Sequence, residues 1–165
     1  MIEIEDALLG ILSRKARDLF AAYEVPCTET ASAIEDHAHL CGIVSFTGVN
    51  LSGSVIVTGT REAIEDSNPG RRCGTRAWLA ELSNQLVGRI KNGLLRRGVD
   101  VAQSIPIVLG GARIVPMSDR AISPLHFDVG RGRISVWCEV EHHGLVVGEE
   151  DLTAGVASEG DVIVF

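Results

Sequence analysis

The sequence predicts an α+β domain with a mainly antiparallel sheet of hairpins packed against two long helices. Three observations predict it. Runs rich in Val and Ile meet around turns of Gly, Asn and Ser, as hairpins do. Two longer stretches repeat apolar residues at helical spacing. The strand-like runs come in pairs separated by helices, without the regular strand–helix alternation of a parallel sheet. The 165 residues suit one domain, and a hydrophobic fraction of 45% is enough to build a core.

Residues 2–23 read as the first long helix. Ile4, Leu8, Ile11, Leu12 and Leu19 recur near helical spacing, and Glu3, Glu5 and Asp6 occupy the first turn, where the helix dipole favours acids. Pro26 ends the run, and residues 27–39 are polar with no clear period. "LCGIVSFTGVNLSGSVIVTG", residues 40–59, is a hairpin turning at "GVNLSG". Thr60 caps a short helix, "REAIEDS", without completing a capping box. "NPGRRCG", residues 68–74, is a loop by composition. Thr75 is the expected N-cap of the second long helix, which runs to about Arg97 with Gly98 as its stop. "SIPIVLGGARIV" supplies a strand near residues 105–109, broken by Gly110 and Gly111. Residues 121–140 form a second hairpin turning at "GRG". The domain is expected to cover residues 1–145. Residues 146–165 form an acidic extension, with Val162–Phe165 as a candidate edge strand.

A net charge of −7 argues against nucleic-acid binding. No apolar run reaches the roughly 18 residues of a membrane-spanning helix. The N-terminus "MIEIEDALLG" is acidic where a secretory leader is basic. Cys27, Cys41, Cys73 and Cys138 form no CxxC and read as reduced thiols. The expectation is a cytoplasmic protein. His37, His39 and Cys41 alternate, so in a strand they would face one way, as zinc ligands can. No fourth ligand is evident, and surface histidines are the expectation. His142 and His143 read as loop polarity, and His126 has no nucleophile motif beside it. "GRRCG" lacks the spacing and the Lys-Ser/Thr of a phosphate-binding loop. Trp78 and Trp137 read as core or sheet-covering residues.

One helical face stands apart. At 100° per residue, Leu79, Leu82, Leu86 and Ile90 gather in one arc. Glu81, Asn84, Gly88 and Asn92 fall on the other side. Glu81 and Asn84 project together, about 5–6 Å apart at Cβ. Glycine on a wet helical face costs about 1 kcal/mol against alanine, so Gly88 suggests close approach of another backbone. Seven basic residues lie between Arg71 and Arg97 and Glu81 is the only acid there. The segment is thus +6, leaving −13 for the rest of the −7 chain. Such a surface steers an acidic or phosphorylated partner.

Glu81-Leu82-Ser83-Asn84 followed by Gly88 resembles the E-x-x-N signature of the CheX/CheC/FliY family of chemotaxis phosphatases. The upstream hairpin "TGVNLSGSVIV" is similar to that family's strand pair. Pro106, 22 positions after Asn84, lies close to where the family places a proline at the start of its next strand. The resemblance covers roughly residues 5–140 and implies a CheC-like fold. A single E-x-x-N copy is more CheX-like than CheC-like. Many members carry Asp or Ser four positions before the glutamate, where this chain has Ala77.

The resemblance implies a phosphatase of the aspartyl phosphate on a CheY-like response-regulator receiver. Asn84 would position water and Glu81 would grip a lysine of the partner. Gln85, Gly88, Arg89, Lys91 and Asn92 would contact that partner. No cofactor of its own is implied, since the receiver brings Mg²⁺. A homodimer joined through its sheets is also implied. Two other readings stay open: a silent domain that binds a receiver or flagellar switch protein, and a structural dimerisation module.

Overall fold

The structure, a computed structural model, describes residues 2–31, 38–71, 73–117 and 121–148. Two segments at its ends pair first: β1 (Ile2–Glu3) lies antiparallel to β9 (Val146–Val147). Between them run α1 (Ile4–Ala22), β2 (Cys27–Thr30), β3 (Ala38–Gly48), β4 (Leu51–Gly59), α2 (Arg61–Asp66) and α3 (Thr75–Leu95). These are followed by β5 (Val101–Gln103), β6 (Ile107–Ile114), β7 (Ala121–Val129) and β8 (Gly132–His142). Seven strands form one sheet in the order β2-β7-β8-β4-β3-β5, with β6 pairing the other stretch of β3's free edge. Every pairing is antiparallel.

The expected α+β architecture is present, and both expected hairpins form, as β3–β4 and β7–β8. Strand alternation explains how they pack. Leu40, Val44 and Phe46 of β3 are buried, as are Val55 and Val57 of β4 and Ile134, Val136, Cys138 and Val140 of β8. They meet Ile4, Leu8, Ile11 and Leu12 of α1 and Leu79, Leu82, Leu86 and Ile90 of α3 in one core. Gly42 sets how closely α3 lies on β3. A Cβ there would stand 2.3 Å from Ser83 Oγ and 3.1 Å from Leu79 Cγ.

Thr60 caps α2 as expected, its Oγ1 accepting from the Ala63 amide at 3.1 Å. Gly98 closes α3 at φ 79°. The Val99 amide donates to the Leu94 carbonyl at 3.0 Å and the Gly98 amide to Leu95 at 2.9 Å, the paired bonds of a left-handed helix terminus.

Several local expectations are corrected. Thr75 is not the N-cap. Gly74 occupies that position, and Thr75 is the first helical residue, its Oγ1 donating to Glu65 Oε1 at 3.3 Å. Gly110 and Gly111 do not break their strand. β6 runs through them to Ile114, and a register shift opposite, between Ala38 and Leu40 of β3, absorbs the irregularity. The unassigned stretch after Pro26 contains β2, which finds its period only by pairing with β7. His142 belongs to β8 rather than a loop. Its Nε2 meets Glu5 Oε1 at 2.5 Å, and its Nδ1 accepts from the Leu145 amide at 3.2 Å. With Nδ1 accepting, Nε2 carries the proton and donates to Glu5.

Trp78 is core, with its indole donating to Ser67 Oγ at 2.8 Å, and Trp137 covers the outer sheet face beside His126. Cys41 and Cys138 are buried, and burial pushes the Cys138 thiol up to about 12. His37 lies outside the described residues, as does the Val162–Phe165 stretch. Among the described residues no cluster of His, Cys, Asp and Glu could hold a metal ion, and no helix is long and apolar enough to cross a membrane.

Candidate functional site

The periodicity that buries Leu79, Leu82, Leu86 and Ile90 in the core turns Glu81 to solvent. Asn84, one turn on, is half-buried. Both line an open groove of about 560 Å³ between α3 and the connection from β5 to β6. Its other walls are Ala77, Ala80, Gln103, Ser104, Ile105 and Pro106. The expected proline therefore does lie immediately before a strand, β6, and forms part of the groove.

Each of the two polar side chains is held by an amide donor. Gln85 Nε2 donates to Glu81 Oε1 at 2.8 Å, along one turn of α3. Gln103 Nε2 donates to Asn84 Oδ1 at 2.8 Å, reaching across from β5. β5 stands opposite Phe46 of β3 in register, so Gln103 points to the helical side of the sheet. The connection after it is anchored. The Ser104 amide donates to the Ser45 carbonyl at 2.8 Å, and Ser104 Oγ accepts from the Ser45 amide at 3.0 Å. Arg76 ties the start of α3 to β6, its Nη2 donating to the Val108 carbonyl at 3.0 Å.

The remaining expected site residues divide. Gly88 follows Asn84 on the same face, and among the described residues outside its own helix backbone a Cβ placed there would come near Gln103 Oε1 alone, at 3.8 Å. Its space is open rather than crowded. Arg89, Lys91 and Asn92 are half-buried further along α3 and line no part of the groove. Sequence reasoning missed Gln103, Ser104 and Ile105. The only local signal was the short alternation "VAQ" after Gly98, too brief to mark as a strand. Ile105 is 83% exposed at the groove rim, a large apolar side chain next to a polar pair.

Chemically, the groove offers one carboxylate and a row of carboxamide and hydroxyl groups. It can bind a cation through Glu81 and orient a water or an oxyanion through Asn84. This constellation sits on a fold that is known. The chain has the CheX/CheC-like fold of chemotaxis proteins. CheX from Desulfovibrio desulfuricans superposes with a TM-score of 0.66 at 16% identity, covering 81% of this chain and 99% of that one. CheX from Vibrio vulnificus superposes with a TM-score of 0.65 at 17% identity, covering 82% and 97%. CheX from the Borrelia burgdorferi CheX–CheY–BeF3–Mg complex superposes with a TM-score of 0.59 at 16% identity, covering 86% and 100%. Neither a protein-family model nor a curated protein matches the sequence.

Proposed function

We propose that the chain hydrolyses the aspartyl phosphate of a CheY-like receiver domain in the cytoplasm. The observation that carries this reading is the Glu81–Asn84 pair. The two stand one turn apart on one face of α3, at the rim of an open groove, each oriented by an amide donor. The presence of a CheY complex among the structural neighbours supports the choice of partner.

An acyl phosphate is already labile, so the chain need supply only position and charge stabilisation. Asn84 accepts from the attacking water through Oδ1 and donates to a phosphoryl oxygen through Nδ2. The water oxygen bonds to phosphorus as the bond to the aspartate oxygen breaks, releasing phosphate and a free carboxylate. Glu81 grips a lysine of the receiver by a charge-assisted hydrogen bond and so sets the approach. The receiver brings its own Mg²⁺. Gln85, Gly88, Arg89, Lys91 and Asn92 extend the contact along α3.

The test is phosphate decay on a CheY-like receiver with and without the chain. Asn84→Ala is expected to abolish the acceleration while binding a BeF3-loaded receiver within about twofold of wild type. Full activity in Asn84→Ala would sink the mechanism.

Ala77 favours a second reading. It lines the groove where many CheX-like proteins carry Asp or Ser. On that reading the chain binds the receiver without hydrolysis, and the phosphate lifetime is unchanged in a complex that nonetheless forms. A homodimer belongs to either reading. Ile107 and Leu109 are 57% and 49% exposed on β6, on the sheet face away from the helices, beside Ile43 and Ile56. Leu109→Glu is expected to shift a dimer to monomer by light scattering; a wild-type monomer rejects the idea.

A further inference from the structure

We infer that Gln103 is a positioning residue that holds the Asn84 carboxamide by one end and leaves the other for the reacting phosphoryl group. The inference rests on the phosphatase reading. A carboxamide is nearly symmetric in shape but opposite in chemistry at its two ends, oxygen accepting and nitrogen donating. A free Asn84 would present either end. Gln103 Nε2, donating to Asn84 Oδ1 at 2.8 Å, holds the group by its oxygen. Oδ1 keeps a second lone pair and Nδ2 keeps two hydrogens, on a side chain that lines the groove. Those are the groups that orienting a water and binding an oxyanion require.

Three further observations hold Gln103 in this role. Its backbone ends β5 against Phe46, so its side chain is delivered from a strand rather than a free loop. The next residue, Ser104, is bonded to Ser45 in both directions. Gly88 leaves open the lane in which the Gln103 carboxamide lies: the one atom near a Cβ at Gly88, among the described residues outside its own helix backbone, is Gln103 Oε1 at 3.8 Å. A Cβ at that distance would be in ordinary contact, so the space beside the Gln103 carboxamide is open. Orientation set before binding lowers the reorganisation needed at the moment of reaction.

The test uses the full chain and a CheY-like receiver charged with acetyl phosphate, followed by release of inorganic phosphate. Wild type against Asn84→Ala first asks whether the chain is a phosphatase, and equal rates reject that reading. With it standing, Gln103→Leu is expected to lower kcat about three- to tenfold, the rate equivalent of one hydrogen bond, with KM within about twofold. Gln103→Glu is the sharper variant. Its ionised carboxylate only accepts, so it turns the Asn84 amide hydrogens inward, and its kcat is expected below that of Gln103→Leu.

Unchanged kcat in Gln103→Leu, a change confined to KM, or Gln103→Glu as fast as wild type overturns the proposal and leaves the phosphatase reading intact. A second readout needs no partner. In the ¹⁵N-labelled chain, the Gln103 side-chain amide proton is expected to move upfield in Asn84→Ala as it loses its acceptor. An unmoved signal overturns the lock whatever the activity. If the chain proves not to be a phosphatase, the catalytic half falls with that reading and this signal alone decides the lock.

Discussion

Glu81 and Asn84 owe their setting to different neighbours. Gln85, which orients Glu81, is four residues on along the same helix, so helical spacing alone brings the two together. Gln103, which orients Asn84, is 19 residues away and arrives by strand pairing. The first contact follows from local spacing and the second does not. The two residues also separate in what they are expected to do. Glu81→Ala removes an exposed side chain and leaves the core untouched, so its melting temperature is expected to stay close to wild type. On the proposed mechanism it loses a charge-assisted bond to the partner, worth about 1.5–3 kcal/mol, so affinity for a BeF3-loaded receiver is expected to fall at least about tenfold. Titration by calorimetry or fluorescence checks this, and unchanged affinity removes Glu81 from the interface.

At the scale of elements, the site depends on how α3 lies across β3. Gly42 allows the approach, because a Cβ there would stand 2.3 Å from Ser83 Oγ, inside any real contact distance. Gly42→Ala is expected to cost about 1–3 kcal/mol through overpacking, read as a lower urea midpoint with an unchanged slope. Because the same shift moves α3 away from β5, it is also expected to weaken the Gln103–Asn84 bond. Stability equal to wild type would mean that α3 adjusts freely. The hairpins were legible because Val and Ile runs flank turn residues within one local window. The continuation of β6 through Gly110 and Gly111 was not. Glycine reads as a break locally, whereas β3 supplies enough partners to carry the strand past it.

At the scale of the whole molecule, two carboxylates link distant segments and make stability depend on pH. Asp66 at the end of α2 receives Arg131 from the β7–β8 turn, with Nη2 at 2.8 Å, Nε at 3.0 Å and the Arg131 backbone amide at 2.9 Å. These bonds hold the Asp66 carboxyl down to about 2. Glu5 of α1 is lowered as well, first by its hydrogen bond from His142. A carboxylate lowered by folding takes up protons more readily when unfolded. Its contribution is therefore complete above the ordinary carboxylate pKa of about 4 and is lost as pH falls toward 2.

Asp66→Asn is expected to flatten stability against pH in that window and to cost about 1 kcal/mol at pH 7, once solvent screening is allowed for. Urea unfolding from pH 2 to 7 measures both, and a parallel pair of curves contradicts the assignment. The segregation of charge, +6 between residues 71 and 97 against −13 elsewhere, acts at the same scale. The on-rate for an acidic receiver is expected to fall steeply as salt rises, with the off-rate little changed. Stopped-flow mixing at two ionic strengths tests it.

The sequence by itself determined the α+β class, both hairpins, the two long helices, the Thr60 cap, the Gly98 stop and the face that carries Glu81 and Asn84. Each follows from interactions within a few residues, where spacing is enough to say which side chains meet. Only the tertiary structure decided that β2 and β5 are strands, that β6 outlasts its glycines, that Ser104 hooks onto Ser45, and that Gln103 reaches Asn84. Those contacts join residues far apart in the chain, and their partners exist only once the sheet has set its register. A helical wheel shows that Asn84 points outward. Only the strand packed beside it brings the Gln103 carboxamide within 2.8 Å of its own.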